Sequence, residues 1–328
     1  MLFNSLQFIV FFAGFFTLYL FLKHRSQNKL IFFGSYVFYA FWDWRFCSLI
    51  FLSTLVDYAC ALRIFQARQN KARQKVFLFL SLFTNLSLLC FFKYFGFFTE
   101  SLEIFLNGLG IAYSRPVINI ILPVGISFYT FQTLSYTIDV YKGAINPTKK
   151  FWEFGAYVAF FPQLIAGPIE RASHLLPQIL RPRTMSFDLF SQGCFLFFWG
   201  LFQKVFVADN LGLMVDPVFA SPEKFSADRI LIAVYAFAFQ IYCDFAGYSN
   251  MARGLGKCLG FDIMLNFRRP YFVTNPVDFW RRWHISLSTW LRDYLYIPLG
   301  GSYRGHLITL RNLGITMFLG GLWHGAAW

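Results

Sequence analysis

The sequence has few charged residues for its length. Only 14% of its 328 residues are charged, whereas a soluble domain usually carries about 25%. Hydrophobic residues make up 57% of the chain and aromatic residues 22%, with a mean hydropathy of +0.50. This composition predicts a protein that is embedded in a lipid bilayer.

The sequence also lacks the spacings that are typical of several kinds of site. No glycine-rich phosphate loop, carboxylate pair or Ser/His/Asp set is evident. The six cysteines show no CxxC pair or zinc-finger spacing, and most lie in apolar runs, where cysteine behaves as a small hydrophobic residue: Cys47, Cys60, Cys90, Cys194, Cys243 and Cys258. We therefore expect no bound metal, no structural disulfide and no permanently bound cofactor.

The apolar residues are arranged in runs of roughly 20, the length of a membrane-spanning helix. A transmembrane barrel would show alternating segments of about 10 residues instead. Because every backbone polar group in a bilayer must be satisfied internally, helices remain the only alternative. No repeat and no linker interrupts the chain. The sequence therefore predicts one all-α, polytopic integral membrane domain over residues 1–328.

The net charge of +13 does not indicate nucleic-acid binding, because the basic residues lie in short loops between apolar runs. This pattern follows the positive-inside rule and predicts a multi-pass protein of a bacterial cytoplasmic (inner) membrane, in contact with lipid. No Lys or Arg precedes the first run, 6–22, and no cleavage site follows it. We expect a periplasmic N-terminus and a periplasmic 99–116 loop, with 63–75 and 253–282 in the cytoplasm.

Two stretches in the middle of the chain are unlike simple spans. The run 117–141 is broken by Pro123 and Gly125 and carries many hydroxyl side chains. It fits either a Pro-kinked span or a helix that lines a cavity. A full crossing by 151–169 would place the following arginines outside, so we expect a re-entrant segment or a shallow, interfacial pair of helices there.

A helix start is evident at Asn275 and Pro276, with an N-cap and a proline at the first helical position. The pattern predicts one amphipathic helix to about Pro298 at the cytoplasmic interface, with an i,i+4 pair between Asp278 and Arg282. His284 lies on this helix. It is either a polar residue hydrogen-bonded at the interface or part of an active site.

His324 lies in a glycine-rich apolar run, 308–328, beside Trp323, Gly321 and Gly325. A titratable group at membrane depth is costly and marks a functional site by default. Burial would keep the imidazole neutral, as a general base requires. A structural histidine remains the alternative. For Asp244 two roles stay open: an ion pair with an arginine of 253–282, or a place along the passage to the histidines.

These motifs resemble the membrane-bound O-acyltransferase family, in its bacterial branch acting on cell-envelope polymers such as alginate and teichoic acids. HISLSTWLRDYLYIPLGG and GLWHGAAW are similar to the family's two histidine motifs. Four further segments are similar to family segments in the expected order: LPVGISFYTFQTLSYTIDVYKG (122–143), AGPIERASHLLPQ (166–178), DFAGYSNMARGLGKCLGF (244–261) and LNFRRPY (265–271).

The resemblance implies a ring of transmembrane helices around a thin central core that holds His284 and His324. It implies transfer of an acyl group, most simply acetyl, from a cytoplasmic thioester donor (acetyl-CoA or an acyl carrier protein) towards hydroxyls of a polysaccharide such as alginate or peptidoglycan. His324 would be the base and His284 would orient the donor or assist proton transfer. A periplasmic acyltransferase partner is also implied.

Relatives continue through further membrane helices after the WHG sequence, whereas this chain ends at Trp328. The resemblance thus predicts a domain that lacks its C-terminal helices. A different class of function is a polytopic transporter or flippase of an envelope precursor. That alternative predicts two halves with matching Pro/Gly breaks, and the breaks at LPVG and AFFPQ do not match in this way.

Overall fold

The computed structural model describes residues 1–116, 118, 120–303 and 305–327. Within these residues the chain forms helices and no β-strand, which confirms the predicted all-α class. Val117, where one predicted run begins, and Trp328, which ends the second histidine motif, lie outside the described residues. The helices are α1 Leu6–Phe21, α2 His24–Asp43, α3 Cys47–Gln66, α4 Lys71–Leu89, α5 Phe95–Gly108, α6 Ile126–Lys142, α7 Phe151–Val158, α8 Phe161–Leu164, α9 Ala172–Leu180, α10 Phe187–Leu201, α11 Asp209–Ala220, α12 Ala227–Cys258, α13 Pro276–Trp280, α14 Ile285–Leu291 and α15 His306–His324.

Four helical stretches among the described residues are long and apolar enough to cross a membrane: His24–Gln66, Lys71–Gly108, Phe187–Ala220 and Ala227–Cys258. Most of the side chains in these stretches face outward and are apolar, as expected of surfaces that contact lipid. The chain is therefore a multi-pass membrane protein, as predicted. In the third stretch Asp209 and Asp216 lie within α11.

The second and third of these stretches each contain a π-helical segment, Cys90–Tyr94 between α4 and α5 and Phe202–Ala208 between α10 and α11. Such bulges are rare and frequently mark functional sites. In the second bulge Lys204 contacts Asp209 at 2.7 Å and Asp244 at 2.6 Å. The partner of Asp244 is thus a lysine of the neighbouring helix, so the predicted pairing with an arginine of 253–282 was wrong.

Helices α10 and α12 pack with their backbones almost in contact. A Cβ added to Gly200 would lie 2.4 Å from the Gly247 carbonyl oxygen, and one added to Gly193 would lie 2.7 Å from that of Gly254. Small residues allow this approach. Gly321 of α15 is different, since a Cβ there would meet nothing within 4 Å.

The interior of the protein is formed by α6 and the short helices that follow it. α6 begins only after Gly125, at φ +76°, where a Cβ would lie 2.2 Å from the Leu164 carbonyl oxygen. The Pro-kinked span was therefore a wrong prediction, because the helix starts after Pro123 instead of bending at it. α7, α8 and α9 have 8, 4 and 9 residues, or at most about 14 Å of helix each. As expected, 151–169 does not cross the membrane as a single helix.

Candidate active site

The first histidine motif folds as a broken helix. Asn275 caps α13 as predicted, accepting a hydrogen bond from the Asp278 amide at 2.9 Å. α13 then ends at Trp280, and α14 begins only after His284. The single amphipathic helix to Pro298 was therefore a wrong prediction. The ion pair of Asp278 is also different, since its partner is Arg281, at 3.3 Å, and not Arg282.

The break is held by His284 itself, whose backbone is left-handed at φ +42° and ψ 55°. A non-glycine residue in this region is uncommon and costs free energy. Asn266 compensates from a distant part of the chain. Its carbonyl oxygen accepts the Ile285 amide at 2.8 Å, which a continuous helix would have used internally. The conformation is thus imposed by tertiary contacts.

A buried polar network supports this contact. The Asn266 Oδ1 accepts from the Ser286 hydroxyl at 2.6 Å, and its Nδ2 donates to the Ser249 hydroxyl at 3.0 Å. The Ser286 oxygen in turn accepts the Ile169 amide at 2.9 Å. Asn266, Ser249 and Ser286 are all almost fully buried. One network therefore joins α12, α14 and the segment before α9 around His284.

The imidazole of His284 is buried, with only 2% of the residue exposed. The edge of the Phe245 ring lies against it, at 4.6 Å between centroids. Burial lowers the pKa of His284 to about 3, so the ring is neutral at neutral pH. Its Nε2 has no hydrogen-bond partner within the described residues. The buried, unpartnered nitrogen is typical of a group that awaits a ligand, while the position of His284 relative to the membrane interface stays a prediction.

His324 is the last residue of α15 and is exposed. The burial expected for it is not found among the described residues, and a Cβ at the neighbouring Gly321 or Gly325 would meet nothing within 4 Å. The buried member of this motif is Trp323, at 6% exposure. The motif therefore anchors a tryptophan and presents the histidine at the end of the helix.

The fold brings the two predicted histidines together although 40 positions separate them in the chain. Their ring centroids lie 6.3 Å apart at an interplanar angle of 75°. Trp323 closes a triangle, since its ring lies 6.2 Å from His284 and 5.3 Å from His324. The Trp323 Nε1 also lacks a partner in the described part of the chain. The unpartnered nitrogen of His284, the indole donor of Trp323 and the accessible imidazole of His324 thus lie in one cluster.

An aromatic stack fixes the position of Trp323. Its ring lies parallel to that of Phe131 at 5.2 Å, and Phe131 stacks on Trp290 at 4.0 Å with an angle of 2°. The Trp290 indole donates to the Phe131 carbonyl oxygen at 3.0 Å. The stack ties α6, α14 and α15 together, so the positions of both histidines depend on the same packing.

Lys93 is a site residue that the sequence reasoning missed. It lies in the first π-helical segment, and its Nζ donates to the Trp323 carbonyl oxygen and to the Ser127 hydroxyl, the latter at 3.2 Å. A cation is favourable at the C-terminus of a helix, here that of α15. The available signal was a lysine inside the apolar run 76–98, which is costly unless it has a role.

Glu170 was also missed, although it lies in a quoted motif. Its carboxylate is fully buried, accepts the Met264 amide at 2.5 Å and lies 2.7 Å from His174 Nδ1. Burial raises the pKa of Glu170, while the hydrogen bond to Glu170 raises the pKa of His174. This pair fixes the chain just before Asn266.

The described residues contain no group of three or more metal-ligating side chains.

Comparison with known proteins identifies the family of this chain. The model of the MBOAT, membrane-bound O-acyltransferase family matches residues 36–328. The chain belongs to the membrane-bound O-acyltransferase family. Both histidine motifs, and every residue of the site described above, fall within the matched region.

The similar curated proteins include the "Probable alginate O-acetylase AlgI" of Pseudomonas putida, 44% identical over 99% of this chain and 67% of that protein. The "Probable alginate O-acetylase AlgI" of Azotobacter vinelandii is 44% identical over 100% of the chain and 65% of its own length. The "Peptidoglycan O-acetyltransferase" of Helicobacter pylori is 36% identical over 100% and 67%. The chain thus spans about two thirds of the length of the curated relatives it matches.

Proposed function

We propose that the protein transfers an acyl group, most simply acetyl, from a thioester donor to hydroxyls of a cell-envelope polysaccharide such as alginate or peptidoglycan. One observation carries the proposal. In a chain of this family, the ring centroids of His284 and His324 lie 6.3 Å apart, and the buried Nε2 of His284 has no hydrogen-bond partner among the described residues. The names of the relatives support the class of acceptor and of acyl group.

His324 is the general base in this proposal. Its exposed ring can reach an acceptor hydroxyl, and partial burial together with the neighbouring Lys93 lowers the pKa of His324, which favours the neutral ring that a general base requires. As the proton leaves, the hydroxyl oxygen attacks the thioester carbonyl and forms the new C–O bond. The C–S bond of the tetrahedral intermediate then breaks, and the departing thiolate receives the proton from the His324 imidazolium.

His284 orients the donor. Its ring is neutral and buried, so its free nitrogen can form one hydrogen bond with the donor or the acceptor without the free-energy cost of burying a charge. The Trp323 Nε1 is a second donor beside it. Because both groups are free of other partners in the described chain, a bound substrate would satisfy them.

The proposal places the protein in the bacterial inner membrane, with its N-terminus and the 99–116 segment in the periplasm; 99–108 of that segment form the end of α5 and not a loop. The donor, acetyl-CoA or an acyl carrier protein, approaches from the cytoplasm, where 63–75 and 253–282 lie. A periplasmic acyltransferase partner completes the transfer. Cysteine-accessibility labelling in intact cells tests the topology: a cysteine at position 70 should be protected, and one at 112 should be labelled. Labelling of position 70 from the periplasm contradicts the arrangement.

Reconstitution of the full-length protein in liposomes tests the reaction. With [14C]acetyl thioester on the inner side and polysaccharide outside, label should appear on the polysaccharide as an ester. A flippase would instead move unmodified precursor without a thioester. No described feature favours the flippase. Movement of unmodified precursor with no ester formed would contradict acyl transfer.

A further inference from the structure

The last turn of α15, which carries His324, is completed by side chains from a distant part of the chain. A helix leaves its last four carbonyl groups without partners inside the helix. The Gly325 amide returns to the Gly321 carbonyl oxygen at 3.1 Å. The next two carbonyl groups accept hydrogen bonds from side chains of the π-helical segment Cys90–Tyr94. The end of α15 therefore depends on that segment for its position.

Two consecutive residues of the π-helical segment provide these contacts. The Tyr94 hydroxyl donates to the Leu322 carbonyl oxygen at 2.9 Å, and the Lys93 Nζ donates to that of Trp323. Lys93 also donates to the Ser127 hydroxyl of α6 at 3.2 Å. Because Tyr94 and Ser127 are buried, water has little access to these hydrogen bonds. The contacts thus join the π-helical segment, α6 and the end of α15.

Lys93 is a cation in an apolar stretch, and both of its acceptors are uncharged. Among the described residues it forms no ion pair with a carboxylate, and its Nζ lies 5.3 Å from the centroid of the Trp323 ring. A charge at membrane depth is costly and indicates function by default. A neutral side chain is sufficient to cap a carbonyl group, as Tyr94 does. The charge of Lys93 therefore needs a reason other than capping.

The charge acts on His324, which follows Trp323 directly. Partial burial and the Lys93 charge both lower the pKa of the His324 imidazole. The other titratable groups around the ring are the Tyr94 hydroxyl and the His284 ring, which is neutral and lies 6.3 Å away between centroids. No carboxylate pairs with His324 in the described part of the protein. Lys93 is thus the cation that opposes protonation of this ring.

We propose that Lys93 and Tyr94 are positioning residues for His324, which act on it through the end of α15 and, in the case of Lys93, through its charge. This inference rests on the proposed acyl-transfer function, in which His324 is the base. Precise placement of a reacting group reduces the entropic part of the barrier, and a general base has to be neutral before it takes a proton. Lys93 serves both requirements and Tyr94 only the first.

Carbethoxylation of His324 by diethyl pyrocarbonate tests the effect of the charge without any substrate. The reagent modifies the neutral imidazole, and peptide mass spectrometry gives its rate at each histidine of the full-length protein in phosphatidylcholine nanodiscs. In Lys93→Met the pH midpoint of the His324 reaction should move to higher pH, because the opposing charge is gone. Tyr94→Phe should keep the wild-type midpoint. His306, exposed at the other end of α15, is the internal reference.

Acyl transfer by the same variants measures the effect of position, with acetyl-CoA as donor and alginate as acceptor. Tyr94→Phe should lower kcat about tenfold, and Lys93→Met about 100-fold, as expected for the loss of a neutral and of a charged hydrogen bond. The loss in Lys93→Met should grow as the pH falls. KM should not change, since neither residue is proposed to contact a substrate. Lys93→Arg keeps the charge and should retain the wild-type pH profile.

The matched control is Lys75→Met, which removes a lysine from an exposed position of the same helical stretch and should behave like wild type. An unchanged His324 midpoint in Lys93→Met, or equal kcat in Lys93→Met and Lys75→Met, would overturn the proposal. Rapid carbethoxylation of the buried His284 would reveal a misfolded variant. In that case Lys93→Arg and Tyr94→Phe decide, and a shifted midpoint in the former or an undiminished kcat in the latter would contradict the assignment. A shifted midpoint in Lys93→Met, together with a wild type that transfers no acyl group, would contradict the proposed function instead.

Discussion

The two histidines of the site are held in opposite ways. His284 is buried at a strained turn, and Asn266, Ser286 and Ser249 hold that turn through side-chain hydrogen bonds. His324 ends a regular helix and is exposed, and its position follows from the neighbouring Trp323. One imidazole is fixed and shielded from water, whereas the other is accessible and has an ordinary helical backbone.

This difference separates two requirements of acyl transfer. A group that orients a substrate gains from a rigid position, because precise placement reduces the entropic part of the barrier. A group that exchanges protons has to meet the acceptor and a proton carrier. The site thus assigns rigidity to His284 and access to His324, and variants of the polar network around Asn266 should affect the first property more than the second.

The largest effect is expected from His324→Gln. Glutamine keeps a hydrogen-bonding side chain but cannot act as a base, so acyl transfer should fall by about 10²–10⁴-fold. Expression and thermal stability should not change, since the side chain is exposed. His306→Gln is the matched control, an exposed histidine at the other end of α15, and should retain full activity. A rate near wild type for His324→Gln would make His324 a structural residue.

His284→Phe should have the next largest effect, about 100-fold on acyl transfer, because the oriented nitrogen is lost. Its stability should change by less than about 1 kcal/mol. Removal of an unpartnered buried nitrogen stabilises by roughly 1–3 kcal/mol, and phenylalanine in a left-handed conformation offsets that gain. Thermal unfolding in detergent measures this balance. A strongly destabilised variant would show that His284 holds the fold and not the substrate.

Asn266→Ala should weaken the contacts that fix His284 and leave the accessible His324 unaffected. It leaves the buried Ser249 and Ser286 hydroxyls without their partner, which costs about 2 kcal/mol of unfolding free energy. Asn250→Ala is the control. The Asn250 side chain donates to Gln203 Oε1 at 2.7 Å and has no hydrogen bond to the histidines. Equal losses of activity in the two variants would show that Asn266 has no specific link to His284.

The smallest effect concerns pH. The pKa of His284 is held near 3 in the folded protein, whereas an unfolded histidine takes up a proton below about 6.5. The resulting stabilisation is fully present above pH 6.5 and is lost as the pH falls from 6.5 towards 3. Wild type should therefore lose stability between pH 6.5 and 5 more steeply than His284→Phe. Parallel melting curves for the two proteins would contradict a buried neutral ring.

Local signals in the sequence predicted the membrane class, the first helix to within one residue at its end, and the Asn275 cap. Such features depend on hydrophobic runs and capping residues that lie close together in the chain. The break at His284 was not predictable in this way. It depends on Asn266, eighteen positions earlier, and the local pattern continues through it as a good helix. The burial of His284 and the contact of Lys93 with Trp323 arise from packing between distant segments, which one sequence does not display.

The glycine contacts between α10 and α12 have a consequence for how the protein assembles in the membrane. The two contacts are seven residues apart on each helix, Gly193 with Gly254 and Gly200 with Gly247, so together they fix both the register and the crossing of an antiparallel pair. Both contacts involve only residues of these two helices. We therefore expect the pair to associate in the bilayer soon after insertion by the translocon and to act as a template for the later segments. A bulky residue at Gly200 would then reduce the yield of inserted protein in pulse-labelled cells before any effect on catalysis could be measured.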